Sequence, residues 1–257
     1  MKKRIILGLS MFSMVSLHAQ EKIIIGNDTL VSQTKVTKEA SIYKKLLLPT
    51  ALIGYGAIGL GCDQLKNINS NVRVGVNGER GQRTNIDDYS RYAPVVSVYA
   101  LNLMGIQGKH NFRDRTVILA TSHLIMCGSV MGLKKLAAVK RPDGSTDNSF
   151  PSGHTATAFA GAEFMWQEYK DVSVWYGVAG YAVATGTGLL RIYNDRHWLT
   201  DVAAGAGIGI LSTKLAYWIH PWMQKQLFGS EEEKKLTALA VPFYNGEQLG
   251  LNVVLKF

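Results

Sequence analysis

The chain of 257 residues is short of several things, and each shortage excludes a class of protein. It has two cysteines, Cys62 and Cys127, too few for a disulfide framework and without metal-ligand spacing. Both sit in apolar stretches and read as buried free thiols. Its six prolines form no Pro/Ser-rich linker, and there is no tandem repeat or low-complexity run. A string of domains is therefore excluded, and one domain with short tails is expected. No basic run is interleaved with aromatics, so no nucleic-acid partner is expected. No strand precedes Gly205-Ala206-Gly207-Ile208-Gly209, which reads as a helix-packing stripe rather than half a dinucleotide fingerprint.

What is present begins with a distinctive N-terminus. Lys2, Lys3 and Arg4 precede an apolar run over 5–17, then His18, Ala19, Gln20 and Glu21. This pattern predicts a secretory signal peptide over 1–19 cleaved after Ala19, the alternative being an uncleaved anchor. Cleavage removes those three basic residues and no acidic one, so the formal charge falls from +9 to +6. A modest positive excess suits an anionic membrane surface or phosphorylated substrates.

A polar segment, 20–45, follows. Apolar stretches then arrive at 46–62, 93–106, 117–133, 155–166, 174–190 and 202–218. They exceed strand length, are rich in Ala, Leu, Gly and Met, and lack period-two alternation, so each predicts a helix. The polar region 63–92, rich in Asn, Arg and Gly, reads as a long loop or a set of short turns. Near the C-terminus, 237–243 and 248–257 flank Asn245-Gly246, a dipeptide that favours a hairpin turn. The expected fold is all-α: a helical bundle of about six core helices, spanning 46–230, with a small C-terminal β-hairpin over 236–257.

The apolar runs fall short of the ~20 residues of a full membrane span, and the mean hydropathy is only +0.03. A membrane-embedded bundle and a soluble one both stay open. If the signal is cleaved, an extracytoplasmic site requires an even number of crossings before Lys134. In that case 46–62 and 117–133 cross while 93–106 does not.

Three clusters carry chemistry. Lys134 and Arg141-Pro142 lie at the end of the third segment and just beyond it. The proline holds Arg141 extended, so its guanidinium fork can face an anion. Pro151-Ser152-Gly153-His154 opens the fourth segment. The N–H groups of Ser152, Gly153 and His154, with the Ser152 hydroxyl, make a cradle for phosphate. Arg191, His197 and Asp201 lie between the fifth and sixth segments. At a spacing of four, Asp201 can accept from Nδ1–H of His197 and leave Nε2 unprotonated. The combined logic is phosphoryl transfer. Lys134, Arg141 and Arg191 neutralise a phosphate, His197 attacks phosphorus, and His154 protonates the leaving oxygen. No step calls for a metal or a cofactor.

Lys134-x6-Arg141-Pro142, Pro151-Ser152-Gly153-His154 and Arg191-x5-His197-x3-Asp201 together resemble the signature of the type 2 phosphatidic acid phosphatase superfamily. That group includes lipid phosphate phosphatases, class A acid phosphatases, lipid A phosphatases and vanadium haloperoxidases. The resemblance covers roughly 115–220. It implies a helical bundle gathering the three motifs at one end, and a metal-independent histidine phosphatase. One position departs: Leu190 stands where the pattern has serine. The short connection from Pro142 to Pro151 looks more like the membrane-lipid branches.

The resemblance thus implies hydrolysis of mono- or diphosphate esters of a phosphorylated membrane lipid. Lipid A leads the candidates, before undecaprenyl diphosphate and phosphatidate. The expected location is the cell envelope, either the inner membrane with a periplasm-facing site or the periplasm. The alternatives are a soluble periplasmic non-specific acid phosphatase and a non-catalytic envelope protein of the same fold. Other histidines (His110, His123, His220) read as structural or exposed, and Glu163 is left without a role.

Overall fold

A computed structural model describes residues 29–77, 83–229, 237–244 and 249–256. The expected signal peptide, residues 20–28 of the polar N-terminal segment and the Asn245-Gly246 turn lie outside the described residues. Eight helices run in chain order: α1 Thr29–Gly59, α2 Asp63–Asn77, α3 Ile86–Ser90, α4 Ala93–Leu103, α5 Phe112–Ala137, α6 Gly153–Tyr169, α7 Val174–Tyr193 and α8 Leu199–Phe228. The chain divides into two compact units, Met1–Lys44 and Lys45–Phe257. Everything below concerns the second.

Each of the four longest-range helices starts where a side chain satisfies its first N–H groups. Asn111 accepts from the Asp114 N–H at 2.8 Å at the start of α5. Ser152 and Ser173 take the N-cap positions of α6 and α7. Asp201, in the first turn of α8, reaches back to the Trp198 N–H at 2.9 Å.

Helix α6 is the hub, packed by α4, α5, α7 and α8. Its Ala156, Ala158, Ala160 and Ala162 are fully buried. Small side chains there let α8 come within backbone contact. A Cβ at Gly205 would lie 2.5 Å from the Ser152 carbonyl oxygen, and one at Gly209 would collide with the carbonyl of Ala156. The glycine stripe is therefore a packing surface, as expected from sequence. Helices α5 and α8 run antiparallel, joined by Ser122 to Thr213 at 2.7 Å and by Thr121 to Met223. Glu163 on α6, unexplained by the sequence, is buried against Lys214 of α8 at 2.7 Å and accepts from the Tyr181 hydroxyl of α7.

The expected architecture needs correction. Among the described residues from Thr29 to Phe228 every element is a helix, and there are eight rather than about six. The region 63–92 is not a loop, because it holds α2 and α3. Helix α2 is polar on average yet amphipathic at helical period, and it packs on α7 and α8, while the five-residue α3 packs on α7. The small C-terminal β-hairpin is not shown as part of this domain. The segments Thr237–Tyr244 and Leu249–Lys256 align backbone to backbone with each other, and among the described residues no helix packs extensively on them. A two-stranded ribbon needs such a partner to become a unit of a fold. The cysteines are free but not buried, Cys62 being partly accessible and Cys127 exposed.

Helices α5 and α8, of 26 and 30 residues, are long and apolar enough to cross a membrane. Helix α4, with 11 residues, is shorter than a span. Apolar side chains project outward from α5, α7 and α8, among them Leu124, Leu136, Trp175, Trp218 and Trp222. Exposed apolar faces of this extent mark a surface that another apolar phase covers.

Candidate active site

The C-terminal ends of α5 and α7 and the N-terminal ends of α6 and α8 meet at one end of the bundle, and the three sequence clusters meet with them. Arg141, His154 and Arg191 line a single cavity of about 300 Å³. Arg83 and Arg196 add two further guanidinium groups to its wall, and Asp87 and Asp88 add two carboxylates.

Helix α7 delivers Arg191 in its last turn, where it is buried and donates to Asp87. The other oxygen of Asp87 accepts from Asn194 at 2.9 Å. Helix α6 delivers His154 in its first turn. Its Nε2 lies 2.7 Å from Asp88 and 3.0 Å from an Arg91 nitrogen. The shorter contact, to a carboxylate, requires Nε2 to carry the proton and donate to Asp88. Burial, and then the charge of Arg191, lowers the His154 pKa from its ordinary value, while Asp88 opposes the fall.

The residues lining the cavity do not include His197, which lies in the connection to α8 with its N–H 3.3 Å from the Arg191 carbonyl and 2 % of its side chain exposed. Burial pushes it down to about 4, Asp201 opposes that, and Arg191 and Lys134 add to it. The imidazole is therefore neutral at neutral pH. Its Nδ1 lies 3.7 Å from Asp201 Oδ2, beyond hydrogen-bond range. That corrects the direct bond expected from the four-residue spacing. Asp201 Oδ2 is taken by two other donors, the Ser149 hydroxyl at 2.5 Å and the Trp198 N–H at 2.9 Å.

Lys134, near the end of α5, donates from Nζ to the Asn148 carbonyl. It lies close enough to Arg141, Arg191 and Asp201 to be coupled to all three. Arg141 is held by its backbone N–H to the Thr146 carbonyl at 2.9 Å. Its Nε is buried without a partner. Ser152 needs a correction. Its hydroxyl caps α6, 3.4 Å from the Thr155 N–H, and its own N–H donates to the Asp201 carbonyl at 3.0 Å. The N–H is not left for an anion, and the buried hydroxyl is engaged with Thr155 through both its N–H and its Oγ1. The cradle at this helix start is reduced to the N–H groups of Gly153 and His154.

Asp87, Asp88, Arg91 and Ser149 were not expected from sequence. Asn85 followed by Ile86-Asp87-Asp88 carries the signal of a capped helix start with an acidic first turn, which marks α3 but not its reach into the site. Asp87, Asp88 and His154 are also the described residues whose donor atoms, within 4.8 Å of one another, could hold a metal ion. Asp87 is spent on Arg191 and Asn194, and Asp88 on His154, so a metal would have to displace these partners.

Four guanidinium groups, one histidine and two carboxylates line this cavity, a surplus of positive charge suited to an anionic ligand. Residues 116–225 of the chain match the PAP2 superfamily model. Over 155 residues it is 39 % identical to the lipid A 1-phosphatase of Porphyromonas gingivalis, an alignment covering 60 % of this chain and 35 % of that protein. Over 75 residues it is 37 % identical to the bacitracin transport permease protein BcrC of Bacillus licheniformis, covering 29 % of this chain and 35 % of that one. The chain thus spans about a third of the length of these curated relatives. The crystal structure of the transmembrane PAP2-type phosphatidylglycerolphosphate phosphatase of Bacillus subtilis has the same fold. Its TM-score is 0.51 at 20 % identity, over 70 % of this chain and 98 % of that one.

Proposed function

We propose that this protein is a membrane-associated lipid phosphate phosphatase working through a phosphohistidine, with its site outside the cytoplasm. The observation that carries this is the convergence of Arg141, Arg191 and His154 on one cavity, with a neutral, buried His197 hydrogen-bonded through its N–H to the Arg191 backbone. The likeness to a lipid A 1-phosphatase over 60 % of the chain supports a phosphorylated glycolipid as the first substrate to test.

The lipid phosphate sits among Arg141, Arg191 and Lys134, with the Gly153 and His154 N–H groups on its oxygens. These donors are in place before charge builds on the equatorial oxygens. The lone pair on His197 Nε2 attacks phosphorus, the P–O ester bond breaks, and the leaving oxygen takes a proton from His154. Water then attacks the phosphohistidine and gives its proton to His154. The P–N bond breaks, which frees inorganic phosphate and restores the His197 lone pair. Asp88 counteracts the burial of His154 and so favours the protonated form that the first step needs.

Phosphate release from lipid A, undecaprenyl diphosphate and phosphatidate in detergent, alongside p-nitrophenyl phosphate, tests the substrate class. A lipid preference is expected. Equal rates on the soluble ester would support a non-specific acid phosphatase, and no release from any of them would remove the enzyme assignment.

A further inference from the structure

We propose that Ser149 is a positioning residue for the nucleophile, the hydroxyl through which Asp201 holds the His197 ring. The inference rests on the phosphatase mechanism above and adds a residue to it.

Ser149 is fully buried. Its backbone N–H donates to the Val139 carbonyl at 2.8 Å, which fixes it against the segment leading to Arg141. Its hydroxyl lies 2.5 Å from Asp201 Oδ2 and 3.5 Å from His197 Nδ1. A carboxylate can only accept, so the serine proton points at Asp201. The lone pairs of Oγ are then left to face Nδ1, which sets Nδ1–H as the tautomer and leaves Nε2 with its lone pair. The direct route is longer, at 3.7 Å. It is also crowded, because Asp201 Oδ2 already accepts from both Ser149 and Trp198. The 3.5 Å contact is at the outer limit of a hydrogen bond, as is common in a site without substrate, and it tightens when the ring becomes cationic in the reaction.

The chain His197–Ser149–Asp201 thus performs what a direct histidine–carboxylate pair does elsewhere, selecting the tautomer and supporting positive charge on the ring. It also joins two of the sequence clusters, since Ser149 stands two residues before Pro151 while His197 and Asp201 belong to the third. The competing arrangement is a direct bond made by Asp201 Oδ1, which is buried and has no partner. In that case Ser149 is a spacer.

The two arrangements separate in a steady-state comparison of the full-length protein in detergent, with a synthetic lipid phosphate as substrate. The variants are Ser149→Ala, Ser149→Thr, Ser149→Cys, Asp201→Asn and the Ser149→Ala/Asp201→Asn pair, with His197→Ala as baseline. Loss of the hydroxyl is expected to lower kcat about tenfold to a hundredfold, as displaced ring-orienting partners do. KM is expected to stay within about twofold, because phosphate binding is untouched. Ser149→Thr, which keeps the hydroxyl, recovers most of the rate, whereas Ser149→Cys does not. The double variant is no slower than Asp201→Asn alone, because both changes cut one chain. If Ser149→Ala fails to fold, the Cys and Thr variants carry the same comparison. A wild-type kcat in Ser149→Ala or Ser149→Cys, or additive losses in the double variant, overturns the proposal and leaves the phosphatase mechanism standing. A wild type that releases no phosphate overturns both.

Discussion

The two ends of the α5–α6–α8 bundle both bury a histidine beside a carboxylate, yet they are built for different ends. At the end away from the cavity, Glu168 of α6 is closed in by three neighbours. His110 lies 2.7 Å from one oxygen, the Tyr217 hydroxyl donates to that oxygen at 2.6 Å, and Arg115 Nε donates to the other at 3.2 Å. Arg115 and Glu168 have side-chain exposures of 1 % and 0 %. Each anion there meets its cation, and the group ties three helices together. At the cavity end the carboxylates Asp87 and Asp88 face a larger set of cations, Arg83, Arg141, Arg191 and Arg196. The difference teaches what distinguishes a structural polar cluster from a reactive one. The first balances charge internally and excludes solvent. The second keeps a surplus of one sign and an opening for the ligand that completes it.

That comparison can be broken or sharpened by substitution. His197→Ala is expected to have the largest effect, lowering kcat about 10⁴-fold with little change in the unfolding midpoint. Phosphate release and thermal unfolding in detergent check both halves. Glu168→Gln at the other end should do the reverse. Breaking a buried pair costs about 3 kcal/mol of stability, so the unfolding midpoint falls while kcat per folded molecule holds. A catalytic defect from Glu168→Gln would erase the distinction between the two ends. Arg191→Lys, which swaps a planar fork for a point charge, is expected to cost about 10²-fold in kcat/KM.

The smallest expected effect is on pH. The nucleophile must be neutral, and burial holds His197 at about 4, so kcat/KM falls on the acid side only as pH drops through that value. The general acid must be protonated, and His154 is lowered from its ordinary 6.5, so the basic limb falls below that. Asp88 raises the His154 pKa. Asp88→Asn should therefore move the basic limb to lower pH and leave the acid limb in place. A shift toward higher pH would mean that Asp88 does not bear on His154 as the geometry indicates.

How much of this is legible in the chain depends on the kind of signal. The six apolar segments are visible because burial on α6 and contact along α5, α7 and α8 demand long runs of Ala, Gly, Leu and Met. Helix α2 has a helical period that its average polarity hides, and α3 is too short to show one; their contacts include polar ones such as Asn69 to Thr200 at 2.9 Å. The three clusters are readable because proline, glycine and charged residues stand at fixed spacing. The partners that tune them are not. Asp87 and Asp88 arrive from more than sixty positions away in sequence, and only packing brings them in. Ser152 shows the opposite error. A serine before a helix satisfies the helix first, and its hydroxyl and N–H are used there. The His197–Asp201 spacing places both on one face, but the distance between them depends on what else the carboxylate accepts. The terminal alternation records a capacity to pair, and without a third element it adds nothing to this fold.

The most direct test of the central claim is to quench turnover of a lipid phosphate within milliseconds and map the phosphoryl group by mass spectrometry under conditions that preserve phosphohistidine. A phosphoryl group on the peptide containing His197, absent from His197→Ala, is the expected result. Full activity in His197→Ala, or a phosphoryl group on another residue, would contradict the account.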